Sequence, residues 1–560
     1  MLNLKFLILN IQTYNFKMEN NNNNNNIDGQ IIGGDFTAIK VRQKSKTNFE
    51  IGELLICEVE NKKIIYRIFD LSFSSQISDQ NLELISGLNL EKDIDHNIIE
   101  NDLRNYITAD LQALIVIEGD GKSHVCKVMP SMFNYIRRVC ENDFDFFSKE
   151  SHYDSIKFGN LRTGSKELNV PIYLDGKDVY SHHILITATT GKGKSNLVKN
   201  LLFDSLDKTF VSNLVLDPHN EYFGATSLGL KDHNMAKTYL KFYSNNKVNY
   251  NINANSLKIN LKLIQPLHLR GVITLSDAQW EAIQLIYSNY KENWINEIYH
   301  EDSIRAFLLK SKIQEDTYKV IVRKFTNLFS CYYKNDKLYS KGIFSIGEIE
   351  GLSFISDIVN HIENNNTIII DTSSVASAVE ILIGSLVVSE IFSKYKSYKM
   401  LGELDNKPLV NIILEEAPRV IGNEALKKGS NIFDTIAREG RKFKVGLTAI
   451  TQLPSLIPKT ILANMNTKII MGTENHGERQ AIVDSAAHDL SKDGRSIASL
   501  DRGEAILSSN FAKFAIPIKI PFIDTIIKQS KEKIEKEKTN IYTNHKIDEV
   551  KKSFSGIDLD

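Results

Sequence analysis

Apolar residues recur along the chain in two rhythms, and the change between them divides the sequence. Between Ile27 and about Glu118, short runs rich in Ile, Val, Phe and Tyr are separated by Gly, Asn and Asp, as in GQIIGGDFTAIKV, GELLICEV, KIIYRIFDL and ALIVIEG. Such runs predict β-strands, and several at close spacing predict a small barrel. The stretch MFNYIRRVCENDFDFF then predicts a helical connection, which gives a first domain over residues 27–150.

From about residue 151, short apolar runs alternate with helical patterns. VPIYL, HHILITA and NLVLD predict strands, and SNLVKNLLFDSL between the last two predicts a helix. The alternation resumes with TIIIDTSS and continues through LVNIILEE, VGLTAITQ, TKIIMGT and GEAILSS. Because strand, helix and strand in this order form βαβ units, we predict an α/β core over residues 151–525 with one parallel sheet.

Three segments depart from this alternation. Residues 255–365 carry helical patterns such as DAQWEAIQLIYSNYKENWINEI and TYKVIVRKFTNLF, which predict a helical subdomain inserted into the core. The Asn run of residues 20–26 has no apolar side chains to bury, so residues 1–26 are predicted to be disordered. The charged tail of residues 526–560 predicts a solvated helix or, alternatively, a helix that contacts another subunit.

Composition constrains the expected cellular compartment but does not identify a binding partner. The 560 residues have a formal net charge of −1, which neither supports nor excludes nucleic acid, because a local basic surface disappears in the sum. The four cysteines form no C-x-x-C pair, so we expect free thiols in a reducing, cytoplasmic compartment. We expect no secretory signal, and no run reaches the roughly 18 apolar residues of a membrane-spanning helix.

The segment ATTGKGKS follows a predicted strand and begins a predicted helix. It matches the pattern G-x-x-x-x-G-K-[ST], except that Ala188 stands at the first glycine. In such a loop, backbone N–H groups and the start of a helix surround phosphates. We therefore predict an ATP site made by nine consecutive residues: Ala188, Thr189, Thr190, Gly191, Lys192, Gly193, Lys194, Ser195 and Asn196. A glycine-rich turn without a ligand is the alternative.

Within this site, each chemical role needs a particular residue type. Lys194 is expected to reach the β- and γ-phosphates, and Ser195 to offer its hydroxyl to Mg²⁺. VNIILEE ends in Glu415, which we assign to Mg²⁺, and Glu416, which would orient and deprotonate the attacking water. Asp217, at the end of NLVLD, is a second candidate acid. Two exposed acids at a strand end are the alternative for the glutamate pair.

Three polar residues between and after these blocks complete the candidate set. Gln452 ends the strand VGLTAITQ and is predicted to sense the γ-phosphate. Arg438 and Arg441, in AREGRKF, are candidates to stabilise transition-state charge at a neighbouring subunit's γ-phosphate. That role requires an oligomer, and a surface salt bridge is the alternative for each arginine.

Four blocks, in this order, resemble the HerA family of hexameric DNA translocases, in the FtsK–HerA branch of P-loop ATPases. They are HHILITATTGKGKSNLVKNLL, LVLDPHNEY, IILEEAPRVI and IAREGRKFKVGLTAITQLPSLIPKTILANMNTKIIM. The resemblance covers most of residues 27–525. It implies a RecA-like core, a homo-hexameric ring around duplex DNA, and a barrel of the type that the family shares with rotary ATP synthases.

For the site, the resemblance implies that Lys194 and Ser195 bind ATP and Mg²⁺, that Glu416 is catalytic and that Asp217 lies nearby. It implies Gln452 as the sensor and Arg441 as the arginine that acts across subunits. Sequence-independent contacts to double-stranded DNA would come from loop lysines, for which Lys427 and Lys428 are candidates, although a solvated loop is an alternative.

The same resemblance implies partners for the barrel. In archaea the partner is a NurA-type nuclease, and the pair resects double-strand breaks for repair, whereas bacterial relatives often pair with defence effectors. We therefore expect a HerA-type translocase or helicase that works with a nuclease. The alternatives are an ATPase that assembles or gates an antiviral effector, and a nucleotide-binding scaffold with little turnover.

This chain departs from many relatives at a few positions. Asn220 stands where many have Gly, and Pro418 where many have His. His182 and His183 precede the loop strand where many relatives have Arg. None of these changes removes a predicted catalytic group, so we expect activity.

Overall fold

The computed structural model describes residues 27–92, 101–148, 152–245, 254–334, 337–347, 349–427, 429–533 and 535–536. The chain divides into two compact units, one of residues 1–146 with 162–168 and the other of residues 147–161 with 169–560. The prediction of disorder for residues 1–26 lies outside the described residues, as does the tail beyond residue 536. Residues 523–533 are helical.

Six strands of the first unit close into a barrel. The strands of the unit are β1 (Gly29–Gly34), β2 (Ile39–Gln43), β3 (Leu54–Val59), β4 (Lys62–Ser75), β5 (Asn105–Glu118), β6 (Ser123–Val125) and β7 (Tyr135–Arg138). Six of them pair in the order β2–β1–β7–β3–β4–β5, and β2 pairs again with β5, which closes the ring, while among the described strands β6 pairs only with β5. Closure leaves no edge strand with unpaired backbone N–H and C=O groups in this ring. Buried residues such as Val41, Leu55, Tyr66 and Ile136 form the core of this unit.

One prediction for this unit holds only in part. The segment MFNYIRRVCENDFDFF is helical from Glu141 to its end, but its first half contains barrel strand β7. Ile136 is buried there and pairs with both β1 and β3. Such a short apolar run fits either secondary structure, and partners roughly a hundred residues away in the chain decide between them. The unit's short helices are α1 (Asp79–Lys92), α2 (Asn101–Arg104) and α3 (Asp145–Ser148).

The second unit is built on a large mixed sheet. The strands of this unit are β8 (Ser155–Thr163), β9 (Lys166–Asp175), β10 (Ile184–Thr187), β11 (Val211–Asp217), β12 (Leu240–Ser244), β13 (Asn255–Ser256), β14 (Ile259–Asn260), β15 (Cys331–Lys334), β16 (Lys337–Ser340), β17 (Phe344–Ser345), β18 (Thr367–Asp371), β19 (Leu409–Leu414), β20 (Val445–Thr451), β21 (Thr467–Met471), β22 (Glu504–Ser509) and β23 (Ile516–Lys519). Twelve of them form the sheet in the order β13–β12–β18–β11–β19–β20–β10–β21–β22–β23–β8–β9.

The sheet is parallel only in part, which corrects the prediction of one parallel sheet. Strands β12 to β21 in that order run parallel, whereas β22 is antiparallel to β21 and β23 to β22. All six residues of β22 are buried, as are all residues of the parallel strands β10, β11, β18, β19, β20 and β21. A fully buried strand therefore carries no sequence signal for its direction.

Helices cover this sheet and form an insertion between β12 and β18. The helices of the second unit are α4 (Gly176–Ser181), α5 (Lys194–Ser205), α6 (Ala236–Tyr239), α7 (Asp277–Tyr290), α8 (Trp294–Ile298), α9 (Glu301–Ser311), α10 (Glu315–Phe329), α11 (Phe354–Glu363), α12 (Ser377–Leu401), α13 (Pro418–Ile421), α14 (Asn423–Leu426), α15 (Ile432–Glu439), α16 (Lys459–Asn464), α17 (His476–Ser485) and α18 (Gly494–Ala498). The insertion contains α7 to α10 and the small hairpin of β15 and β16. Among the described residues, no helix is long and apolar enough to cross a membrane.

Candidate nucleotide site

The carboxyl ends of four neighbouring parallel strands bring the predicted site residues together. In the sheet, β10 lies beside β20, β20 beside β19, and β19 beside β11. Because these strands are parallel, the segments that follow them emerge at the same sheet edge. The predicted phosphate loop, Gln452, the glutamate pair and Asp217 therefore share one edge, although Ala188 and Gln452 lie 264 residues apart in the chain.

The loop between β10 and α5 has the backbone that a phosphate cradle requires. Gly191 has φ of 82° and Gly193 has φ of 107°, which is the left-handed region that glycine adopts without strain. Gly193 is also the N-cap of α5, so unpaired N–H groups of the first helical turn lie at this loop. No atom lies within 4 Å of where a Cβ of Gly191 would be, so there is open space beside this turn.

Ala188 fits the first position of the loop without requiring glycine. It is fully buried, and it is not among the residues with positive φ. Its N–H donates to the carbonyl of Thr451 at 3.4 Å, and its own carbonyl accepts Nζ of Lys194 at 3.1 Å. The change from glycine to alanine therefore leaves the path of the loop unaltered.

The loop is held in place on both sides by hydrogen bonds to later segments of the chain. Thr189 donates its backbone N–H and its hydroxyl to the carbonyl of Gly472, each at 3.0 Å. Lys192 donates Nζ to the carbonyl of Leu500 at 2.9 Å and accepts the N–H of Gly503 at 3.0 Å. These contacts give Thr189 and Lys192 a role in fixing the loop.

Gln452 contacts the phosphate loop directly. Its Oε1 accepts the hydroxyl of Thr190 at 2.9 Å, and its strand β20 pairs with β10 along the whole length of β10. A side chain at this position is adjacent to whatever the loop binds.

Glu415 and Glu416 follow β19, which is not a direct neighbour of the loop strand β10. Strand β20 lies between β19 and β10. Their charges nevertheless act on Lys194. Burial lowers the pKa of Lys194, and Glu416 and Glu415 oppose this effect. Burial raises the pKa of Glu415 to about 7, with the charges of neighbouring carboxylates adding to the effect. Glu416 has φ of 49°, a conformation that costs a non-glycine residue free energy and is common at functional sites.

Asp217 lies near the glutamates but supports the backbone. It is fully buried, and its two carboxylate oxygens accept the N–H groups of Glu221 at 3.1 Å and Tyr222 at 3.0 Å. Burial raises its pKa to about 6, and the charge of Asp371 on the neighbouring strand adds to this. Both oxygens are engaged by the chain, which favours a structural role over contact with the nucleotide.

The side chain of Asn196 is likewise engaged by the protein. Its Nδ2 donates to the carbonyl of Pro521 at 3.0 Å, and its Oδ1 accepts the N–H of Ile523 at 2.9 Å. It therefore ties the first turn of α5 to the segment after β23. Sequence reasoning did not find this link, because nothing in the local pattern around residue 521 refers to the loop.

Sequence reasoning also missed Tyr222. This side chain is 1% exposed, and its hydroxyl donates a hydrogen bond to Oε1 of Glu415. The tyrosine is the last residue of the block LVLDPHNEY, so the signal is present in the sequence, but the pattern assigns a role only to Asp217.

Arg438 and Arg441 lie at the opposite edge of the sheet from the loop. Both precede β20, and the charge of Arg441 acts on His182 and His183, which precede β10. Arg438 is paired with Asp434 at 2.7 Å. Arg441 is exposed, and the described part of the chain provides no ion-pair partner for it. Neither arginine can reach the phosphate loop of its own chain.

Two departures from the family pattern have structural explanations. Asn220 has φ of 52°, and asparagine tolerates this left-handed conformation better than most residues other than glycine. His183 is buried, and its Nδ1 accepts the N–H of Leu447 at 3.0 Å, which joins the starts of β10 and β20. The first substitution keeps the turn, and the second residue links two neighbouring strands through its hydrogen bond to Leu447.

A glycine loop between a strand and a helix, a polar residue on the adjacent strand and an acid pair on the next one define a P-loop ATPase. The family described as "Helicase HerA, central domain" matches residues 156–443, about half of the chain. The chain therefore belongs to the HerA helicase family and is an ATPase of the helicase class. The resemblance and the predicted fold class, an α/β core with a small N-terminal barrel, are confirmed.

Named relatives extend the similarity over most of the chain. The DNA double-strand break repair helicase HerA of Sulfolobus acidocaldarius is 25% identical over 88% of this chain and 92% of its own length. The protein of the same name from Pyrococcus furiosus is 26% identical over 66% of this chain and 69% of its own.

Solved structures that match this chain include VirB4 of Thermoanaerobacter pseudethanolicus. Its TM-score is 0.44 at 15% identity, with 66% of this chain and 97% of that chain covered. The bacterial conjugative coupling protein TrwB gives a TM-score of 0.45 at 14% identity, with 69% and 93% covered.

Proposed function

We propose that this protein is a Mg²⁺-dependent, ring-forming ATPase that moves along or unwinds double-stranded DNA and acts with a nuclease in processing DNA ends. The observation that carries the proposal is the meeting of the glycine loop, Lys194, Gln452 and the glutamate pair at one sheet edge. The names of the relatives supply the DNA substrate and the repair context.

The residues present fit ATP and Mg²⁺. The open turn at Gly191 and the helix start at Lys194 suit phosphates, and the hydroxyl of Ser195 with the carboxylate of Glu415 is the oxygen donor set that Mg²⁺ prefers. Bound Mg²⁺ would neutralise phosphate charge during transfer. Glu416 would accept a proton from the attacking water, Lys194 would hold the γ-phosphate, and Gln452 would report its loss to the loop through Thr190.

The position of Arg441 supports a ring. An exposed arginine at the sheet edge opposite to its own loop could act on a γ-phosphate only if a neighbouring chain bound that nucleotide, as a head-to-tail assembly would allow. A homo-hexamer is the assembly that the family resemblance implies. Arg438 is the weaker candidate, because Asp434 already binds it.

The proposal places the DNA contacts on loop lysines and the partner on the barrel. Lys427 is exposed and forms an ion pair with Glu424 at 2.6 Å, which phosphate binding would have to replace. Lys428 lies outside the described residues. The barrel is the proposed platform for a NurA-type nuclease, and an antiviral effector remains the alternative partner.

The test is steady-state ATP hydrolysis with and without linear duplex DNA, using the wild-type chain, Lys194→Ala and Glu416→Gln. We expect DNA to stimulate turnover, and each substitution to abolish it. Turnover that is absent, or indifferent to DNA, would contradict the translocase function for the isolated chain. Hydrolysis that survives Glu416→Gln would remove that residue from the proposed chemistry.

A further inference from the structure

Tyr222 connects two parts of the site that are far apart in sequence. It belongs to the segment that follows β11, and its ring is buried. Its hydroxyl reaches across to the end of β19, where it donates a hydrogen bond to Oε1 of Glu415. This is the direct side-chain hydrogen bond that joins the segment after β11 to the glutamate pair.

The position of the Tyr222 hydroxyl is fixed by the end of β11. The carboxylate of Asp217 accepts the N–H groups of Glu221 and Tyr222 at 3.1 Å and 3.0 Å. Asn220, with φ of 52°, lies in the turn between Asp217 and these two residues. Because Asp217 is fully buried at a strand end, the segment that presents the tyrosine is anchored to the sheet.

Glu415 needs such a donor because its surroundings are acidic. Glu221, Asp217 and Glu416 all act electrostatically on it, and Lys194 is the cation that opposes them. Repulsion from three carboxylates would turn an unsupported glutamate side chain away from the site. A hydrogen bond to one oxygen fixes the side chain and leaves the other oxygen available.

We propose that Tyr222 is a positioning residue that acts through Glu415. It holds Oε1 of Glu415, so that Oε2 is the oxygen presented to the metal of the bound nucleotide. Asp217 contributes indirectly by anchoring the tyrosine. This inference rests on the proposed function, since it assumes that Glu415 faces a nucleotide-bound Mg²⁺.

The experiment measures binding of a fluorescent ADP analogue to the full chain, once with Mg²⁺ and once with EDTA. Tyr222→Phe keeps the buried ring and removes only the hydroxyl. We expect it to weaken Mg²⁺-dependent binding about tenfold, as loss of a hydrogen bond to a metal-binding group typically does. Binding in EDTA should not change. Tyr395→Phe is the matched control, because it removes another buried hydroxyl, which donates to the carbonyl of Pro408 at 3.1 Å.

A second set of variants separates positioning from packing. If Tyr222 acts through Glu415, Tyr222→Phe should have no further effect on Mg²⁺-dependent binding in a Glu415→Gln background. Equal losses with Mg²⁺ and with EDTA would overturn the inference, and so would a full additional loss in the Glu415→Gln background. Lys194→Ala marks failure of the proposed function separately. If the wild type binds the analogue no better than Lys194→Ala, both proposals fall, whereas normal wild-type binding with a silent Tyr222→Phe overturns only this one.

Discussion

A mixed ring would test whether each ATP site is shared between neighbouring chains. In this ring some subunits carry Arg441→Ala and the others carry Lys194→Ala. Within one chain, Arg441 precedes β20 and Gln452 follows it, so the seven residues of Val445–Thr451 separate them. At about 3.3 Å per residue this separation is roughly 23 Å. An arginine side chain is far too short to span it.

The expected magnitudes follow from counting intact sites. Each variant alone should be nearly inactive, since loss of an arginine that acts at the γ-phosphate costs about 10³-fold or more in turnover. In an equal mixture, a site works when its own chain keeps Lys194 and the neighbour keeps Arg441. With one neighbour per site in a head-to-tail ring, that holds for about one quarter of the sites.

The assay is steady-state ATP hydrolysis by the two variants co-expressed in equal amounts. The matched control co-expresses the wild type with a chain carrying both substitutions. If the arginine acts across subunits, about one quarter of the sites in the control should also be intact. If it acts within its own chain, about one half of the sites in the control should be intact. A mixture as inactive as either single variant, beside a control near one half, would refute the reasoning.

Two further outcomes test the sheet edge opposite to the loop. Burial lowers the pKa of His183 from 6.5 to about 4, so the unfolded chain takes up a proton that the folded chain rejects, and stability decreases as pH falls from about 6.5 toward 4. His183→Asn keeps an acceptor for the N–H of Leu447 and tolerates the positive φ. It should therefore remove about 3 kcal/mol of this pH dependence, measured as the difference in thermal unfolding between pH 4 and pH 7. An unchanged pH dependence would contradict the assignment of this effect to His183. Gly446→Ala would bring a Cβ to 1.9 Å from the carbonyl oxygen of Tyr180, so we expect a loss of more than about 2 kcal/mol in urea unfolding. Gly494→Ala, where a Cβ meets no atom within 4 Å, is its control and should change stability little.

The sequence determined the local elements whose chemistry is local. A phosphate loop is made by consecutive residues, because it wraps a ligand with its own backbone and the first turn of the next helix. Its pattern in Ala188–Ser195 therefore predicts both the structure and the ligand class. The acids and the glutamine each end an apolar run that is predicted as a strand, and strands β11, β19 and β20 end at or just before them.

Tertiary structure decided what depends on partners distant in the chain. The direction of β22 and the pairing of β7 were not predictable, because a short buried run has the same pattern whichever strand it pairs with. The same is true of Asn196, which the sequence grouped with the nucleotide. Its side chain binds backbone groups of Pro521 and Ile523, which the fold brings near. Asp217 instead binds backbone groups of the turn that directly follows it. Which polar group a side chain binds is set by the sheet order, and no local pattern records that order.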